Sequence, residues 1–318
     1  MAPELEVSVV VPTWERPERL AAALDALQAQ TLEPGQFEVV VADDGASERT
    51  PEMLAARRDG RLGVRSVRLP GRGPAAARNA GWRAARAPLV AFTDDDCEPH
   101  PRWLEALLEA HRRNPAAIVQ GVTRPIPREA ELLRRPFTRT RRIEGPNPWF
   151  ATCNIAYPRD LLERLGGFDE LFPEALGEDT DLGWRALEHG TSVEFAPGAV
   201  VHHAVEDLGP AGYIRHAMRG ADAVYAFRRH PGLRARTLRY RAFRNPSLAR
   251  LALALAGLAL ARLHRAATVL ALPYARNVLG RSMSYDTGPA LVPYLIAYDL
   301  VQAFTSVRGS IRHRTLVL

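Results

Sequence analysis

The chain contains no lysine: all 42 of its basic residues are arginine, and alanine and proline are abundant. This usage points to GC-rich coding, so a single arginine carries less functional weight than usual. Cysteine is nearly absent as well. Two residues, Cys97 and Cys153, argue against a disulfide framework and fit a reducing compartment. The opening MAPELEVSVV has neither the basic start nor the apolar stretch of a signal peptide, which predicts a cytoplasmic protein. Disordered tracts, low-complexity blocks and internal repeats are missing. So are the phosphate loops of the better-known nucleotide folds: there is no Gly-x-x-x-x-Gly-Lys, and Gly71-Arg72-Gly73 does not complete a Gly-x-Gly-x-x-Gly.

What remains is an ordinary globular composition. The 318 residues are 47% hydrophobic and 25% charged, enough for one large domain or two of moderate size. The charge is unevenly placed. Residues 206–318 hold 17 arginines against 5 acids, so the first part is net acidic although the whole chain is +6. An acidic part joined to a basic part suggests an anionic surface as partner, with phospholipid and nucleic acid both open on charge alone.

Short apolar runs alternate with helical periodicity, the pattern of parallel strands joined by crossover helices. Strands are expected at residues 7–11, 37–42, 64–67, 89–92, 118–122, 150–157 and 193–201, and helices at 50–57, 75–85 and 101–113 and after Gly177. Leu20, Leu24 and Leu27 mark a helix after the first strand. The Pro- and Arg-rich stretch 124–148 reads as a long surface loop or flap. We place the boundary near Asp207, giving a catalytic domain at 1–206 and a basic, mainly helical region at 207–318.

Ligands of open α/β sheets sit at the carboxyl ends of the strands. There the sequence places Pro12-Thr13-Trp14-Glu15, Asp43-Asp44-Gly45 and Asp94-Asp95-Asp96. Such an oxygen cluster suits a hard divalent cation, Mn²⁺ or Mg²⁺, shared with substrate phosphates. Alternation along an extended segment brings Asp94 and Asp96 together and sends Asp95 elsewhere. The competing reading is an acidic turn in which one Asp caps the following helix and the rest are solvated. Glu178-Asp179 is open to the same pair of readings, helix capping or catalysis.

Taken in order, VSVVVPTWERP, VVADDGASERT, GPAAARNAG, FTDDDCEP, GGFDE and GEDTDLGWRALEHG resemble the family 2 glycosyltransferases, inverting, metal-dependent enzymes of the GT-A fold. The resemblance covers about residues 7–203. It implies an α/β architecture, a Rossmann-like mixed sheet flanked by helices, and a nucleotide-diphosphate-sugar donor. By the same resemblance Pro12, Thr13, Glu15 and Asp44 border the base and ribose. Arg78 and Asn79 line the donor. Asp94, Asp95 and Asp96 serve the diphosphate and metal, with Asp94 and Asp96 as ligands. Asp179 is implied as the catalytic base, with Glu178 next in line, and His202 as the late metal ligand, with His203 the alternative. Glu15 and Ala46 depart from the Asn and Ser common in the family, which bears on the identity of the nucleobase. Trp149 is either a stacking platform for a sugar or an anchor for its loop. The Gly166-Gly167 turn is expected to bring Phe168 under the acceptor.

Beyond the resemblance, residues 251–261 form an eleven-residue apolar run, too short to span a bilayer that needs about twenty in a helix. It is either buried or half-embedded in a membrane interface. Arg228, Arg229, Arg234, Arg236, Arg239, Arg241 and Arg244 favour an anionic membrane surface, and that in turn suits a lipid-linked or cell-surface glycan acceptor. Nucleic acid is disfavoured, because no binding motif accompanies the arginines and an acidic cleft repels a polynucleotide. The rival functions are a sugar nucleotidyltransferase and a non-catalytic sugar-nucleotide-binding or membrane scaffold protein.

Overall fold

The computed structural model describes residues 4–57, 62–172, 176–240 and 242–318. Its elements begin with β1 (Val7–Thr13), α1 (Pro17–Gln28), β2 (Phe37–Asp43), α2 (Arg49–Ala55), β3 (Val64–Arg68), α3 (Pro74–Ala84), β4 (Leu89–Phe92), β5 (Cys97–Pro99), α4 (Trp103–Arg113) and β6 (Ile118–Pro125). They continue through β7 (Thr138–Arg139), β8 (Ile155–Pro158), α5 (Arg159–Leu165), α6 (Glu178–Glu188), β9 (Val193–His203) and β10 (Glu206–Asp207). Helices α7 (Gly209–Met218), α8 (Gly220–Arg229), α9 (Pro231–Thr237), α10 (Pro246–Leu260), α11 (Leu272–Ser282) and α12 (Val292–Arg312) complete the chain.

Eight strands form one sheet in the order β3-β2-β1-β4-β8-β6-β9-β5. Strands β3, β2, β1 and β4 run parallel, β8 is antiparallel to both β4 and β6, and β6 is parallel to β9. β2 is buried along its whole length, as expected of a central parallel strand covered on both faces. β3, at the edge, exposes its arginines instead. Alternation in β1 sends Val7, Val9 and Val11 into a core shared with Leu20, Leu24 and Leu27 of α1 and with Trp103, Leu104 and Leu107 of α4. Burying a leucine side chain there stabilises the fold by roughly 1.5–3 kcal/mol. Pro17 at the start of α1 and Pro74 at the start of α3 occupy positions where a missing N–H costs no hydrogen bond.

The chain divides into two units. One is formed by the chain up to Pro127 together with Thr140–Ala204, the other by Arg128–Arg139 together with Val205–Leu318. The stretch expected to be one long loop is therefore mostly ordered: β6 runs on to Pro125, Pro127–Arg134 coils into a 3₁₀ helix, and β7 pairs with β10 inside the second unit. Proline and arginine content conceals these short turns. In the second unit, Asn245 caps α10 by accepting the Leu248 N–H at 3.0 Å. Leu248, Leu251 and Ala254 of α10 pack with Tyr274, Val278, Leu291 and Leu295. The opposite face of α10 exposes Leu253, Leu255, Leu258 and Leu260, so the apolar run is half buried and half presented outward. Gly288–Arg312 is, by length and composition, a helical stretch long and apolar enough to cross a membrane.

Candidate active site

Because β1, β2 and β4 are parallel, their carboxyl ends lie along one edge of the sheet, and the polar residues that follow them meet there. Thr13 ends β1 and donates its hydroxyl to Asp95 Oδ2 at 2.7 Å. Asp95 is fully buried, and burial first, then the adjacent Asp96, pushes its carboxyl up to about 7 against the opposing pull of Arg16. Arg16, in the turn between β1 and α1, places Nη2 2.7 Å from Asp95 Oδ1 and Nη1 3.1 Å from Asp96 Oδ2.

A second guanidinium comes from α3. Arg78 is 5% exposed and bonds Asp94 Oδ1 at 3.0 Å and Glu178 Oε1 at 2.8 Å, joining the loop after β4 to the start of α6. It lies over the ring of Phe168, 5.9 Å from the centroid. Phe168 in turn packs edge-on against Phe92, with ring centroids 5.2 Å apart. Phe168 thus supports Arg78 from below. Burial alone raises the Asp94 carboxyl, but Arg78, His203 and Arg16 together hold it below its ordinary value.

At the N-terminus of α6, Glu178 is buried and its Oε2 has no partner among the described residues. Burial first, then the neighbouring Asp179, pushes its carboxyl up to about 7. Asp179 is half-buried and accepts the Thr180 N–H at 2.7 Å. Its carboxyl is also raised by burial, an effect moderated by Arg141, the Thr180 N–H and Arg78. A carboxylate with raised proton affinity suits a group that removes a proton from a hydroxyl.

The two histidines of β9 separate by strand alternation. His203 shares the inward parity of Val201 and Ala199 and sets its Nε2 3.7 Å from Asp96 Oδ1. His202 pairs in register with Glu98, and burial together with nearby His100 depresses its imidazole. The geometry therefore puts His203, not His202, beside the acidic cluster. His203 Nδ1 lies 2.9 Å from the Ala204 carbonyl, which can only accept, so Nδ1 carries a proton and Nε2 is the nitrogen turned toward Asp96.

These residues fit a divalent cation. An oxygen of Asp96 and the imidazole nitrogen of His203 are donors suited to Mn²⁺ or Mg²⁺, whereas Asp94, bonded to Arg78, is not among the residues whose donor atoms gather there. Cys97 joins Asp96 and His203 in a group whose donor atoms lie within 4.8 Å of one another, yet burial and then Asp96 hold its thiol well above the ordinary value. As a soft donor it is poorly suited to Mn²⁺ or Mg²⁺.

Other sequence candidates are engaged elsewhere. Asp44 accepts the Arg72 and Gly73 N–H groups, both at 2.7 Å, and so clasps the loop before α3. Its neighbour Asp43 keeps a buried Oδ2 without a partner among the described residues. Glu15 adopts φ +55° and accepts the Ala46 and Ser47 N–H groups at 2.8 and 2.9 Å. Pro12 lies half-buried near the end of β1. Asn79 uses its whole side chain within the protein: Nδ2 donates to the Phe168 carbonyl and Glu170 Oε1, while Oδ1 accepts from Trp82 Nε1 and the Phe168 N–H, all at 2.9 Å. It locks the Gly166-Gly167 turn and so positions Phe168. A Cβ on Gly167, at φ +78°, would fall 2.4 Å from Asn79 Oδ1, which is why the turn requires glycine. Trp149 and Trp14 are exposed, and the Trp149 carbonyl accepts the Thr180 hydroxyl at 2.8 Å.

An eight-stranded mixed sheet with carboxylates along the carboxyl edge of its parallel strands is the arrangement of a GT-A glycosyltransferase. Residues 8–166 match the family described as Glycosyl transferase family 2, and residues 89–280 match Glycosyl transferase family group 2. The chain belongs to family 2 of the glycosyltransferases. Among its relatives, the validoxylamine A glucosyltransferase of Streptomyces hygroscopicus subsp. limoneus is 34% identical over 263 residues, covering 71% of this chain and 57% of that protein. Glycosyltransferase AglE of Haloferax volcanii is 28% identical over 211 residues, covering 64% of this chain and 68% of that protein. The chain thus spans a little over half the length of the first relative. Among solved structures, the mannosyltransferase PcManGT of Pyrobaculum calidifontis, in complex with GDP-Man and Mn²⁺, superposes with a TM-score of 0.67 at 24% identity, over 97% of this chain and 87% of that one. At that identity the likeness speaks for the fold.

Proposed function

We propose that this protein is an inverting glycosyltransferase that moves a sugar from a nucleotide-diphosphate donor to an acceptor hydroxyl. The observation that carries the reading is the convergence, through Arg78, of Asp94 at the end of β4 with Glu178 at the start of α6, beside Asp179. Asp179 is the base that takes the acceptor proton, and Arg78 with Phe168 beneath it fixes the distance between the two ends of the reaction. Asp96 and His203 hold a divalent cation, Mn²⁺ or Mg²⁺. When bound, the ion supplies Lewis-acid neutralisation of the departing diphosphate. Asp43, with its spare buried oxygen, rather than the fully engaged Asp44, accepts a hydrogen bond from the nucleobase.

The acceptor is a lipid-linked or cell-surface glycan precursor, met at the cytoplasmic face of an anionic membrane. Support for this comes from the arginine excess of residues 206–318 and from the outward apolar faces of α10 and α12. A small soluble acceptor is the second reading, favoured by the relative named as a validoxylamine A glucosyltransferase.

The deciding experiment is a thermal-shift panel of GDP, UDP, TDP and CDP, each with and without Mn²⁺, on wild type, Asp96→Asn and Asp179→Asn. One nucleotide is expected to stabilise wild type only with metal, Asp96→Asn to lose that response, and Asp179→Asn to keep it while transfer falls by roughly 10²–10⁴-fold. A panel in which no nucleotide stabilises wild type would remove the enzyme reading.

A further inference from the structure

Two guanidinium groups lie against the three carboxylates of residues 94–96, and they are held very differently. Arg78 is 5% exposed, bonded to two carboxylates and seated on Phe168. It is a fixed part of the site. Arg16 has a side chain 44% exposed and reaches in from the turn between β1 and α1. The backbone on either side of it is restrained, by Glu15 tied to Ala46 and Ser47 and by Pro17 opening α1. The side chain therefore has solvent to swing into while its anchor stays in place.

What Arg16 touches matters. Its Nη1 lies 3.1 Å from Asp96 Oδ2, and the other oxygen of the same carboxylate faces His203 Nε2 at 3.7 Å. Asp96 is thus shared between a cation already present and the position a divalent ion would take. Adding a dication beside a monocation a few ångströms away is unfavourable even in a well-screened site, where two unit charges at about 4 Å repel by about 1–4 kcal/mol. A diphosphate changes that balance, because a guanidinium pairs as readily with phosphate oxygens as with a carboxylate.

We propose that Arg16 is a resident counter-cation: it neutralises Asp95 and Asp96 in the donor-free enzyme and yields Asp96 to the divalent ion when a nucleoside diphosphate arrives to receive the guanidinium. The inference rests on the metal site proposed above and adds an order to its filling. Metal and nucleotide bind interdependently, each making the other's site available. Without nucleotide the cluster stays neutralised and binds a free cation weakly.

The test is Mn²⁺ binding, followed by the electron paramagnetic resonance signal of free Mn²⁺, on the full chain without nucleotide and with GDP or UDP. Wild type, Arg16→Ala, Arg16→Gln and Asp96→Asn are compared, with circular dichroism to confirm folding. Removing the guanidinium is expected to tighten Mn²⁺ binding in the absence of nucleotide by about tenfold and to shrink the factor by which the nucleotide strengthens it. Arg16→Gln, which keeps most of the side chain's length, is expected to behave like Arg16→Ala. Mn²⁺ affinity unchanged or weakened in both Arg16 variants, with binding lost in Asp96→Asn, overturns the counter-cation and leaves the metal site standing. Mn²⁺ binding indifferent to Asp96→Asn as well removes the metal site beneath it.

Discussion

Arg78 and Asn79 are consecutive on α3, yet their side chains serve different purposes: one joins Asp94 to Glu178, the other is consumed by four hydrogen bonds to Trp82, Phe168 and Glu170. Asn79→Ala should leave the Phe168 N–H and the Trp82 indole N–H without acceptors. A loss of about 2–4 kcal/mol in chemical denaturation is expected, with nucleotide affinity falling only through the displaced Phe168. Glu178 offers a test by pH. Its folded-state carboxyl is raised to about 7, so the protonated form is the one the fold favours. The stability this contributes is present below about pH 4.5 and is lost as pH rises through 7. Glu178→Gln copies the neutral form; its stability relative to wild type should climb across that window by roughly 1–3 kcal/mol, and a flat difference between pH 4.5 and 8 would show that Glu178 is ionised throughout. Asp94 and Asp96 could be picked out in the sequence because carboxylates directly after an apolar run announce a strand end, whereas Asp179, at a helix start, was singled out only by the family resemblance. His202 against His203 was undecidable there, since Val200 and Val201 are both apolar and hide which parity faces inward. Arg16 was passed over because arginine is so common in this chain.

At the scale of elements, the junction of α6 with the segment before β8 fixes where Glu178 and Asp179 stand. Phe150, at φ +53°, turns its ring onto α6, and a Cβ on Gly183 would lie 2.0 Å from that ring. Gly183→Ala should therefore displace the helix, lowering stability by about 1–3 kcal/mol and moving Glu178 and Asp179 with it. Pairing it with Phe150→Leu should recover part of the stability in thermal denaturation, and no recovery would place the strain elsewhere. Apolar runs of four to seven residues marked most of the strands directly, whereas 124–148 defeated composition because 3₁₀ turns and two-residue strands carry no periodic signal. The length of α12 was hidden too: Tyr294, Tyr298, Asp299 and Gln302 interrupt its apolar residues, but the carboxylate of Asp299 is met by Arg281 at 2.8 Å and by the Tyr274 hydroxyl at 3.0 Å. Polar residues satisfied inside a helical unit look, in sequence, like residues destined for water.

For the molecule as a whole, the excess of positive charge and most of the exposed large apolar side chains fall in the second unit. If that unit meets an anionic bilayer, Leu253→Asp with Leu258→Asp on α10, or Phe304→Asp with Ile311→Asp on α12, should reduce co-sedimentation with phosphatidylglycerol vesicles severalfold, and salt should reduce it further. Sedimentation unchanged in both double variants would assign those faces to another role.

The path of the chain between the units has one further consequence. It leaves the first unit at Pro127, returns at Thr140 and leaves again after Ala204, so Arg78 and Asp94–Asp96 precede the excursion while Glu178, Asp179 and His203 follow it. On the ribosome, residues 128–139 emerge long before the partners they pack with, and must wait through the synthesis of sixty-odd residues that finish the other unit. In heredity the same threading forbids a simple cassette: no single crossover in the gene can exchange one unit and leave the other whole.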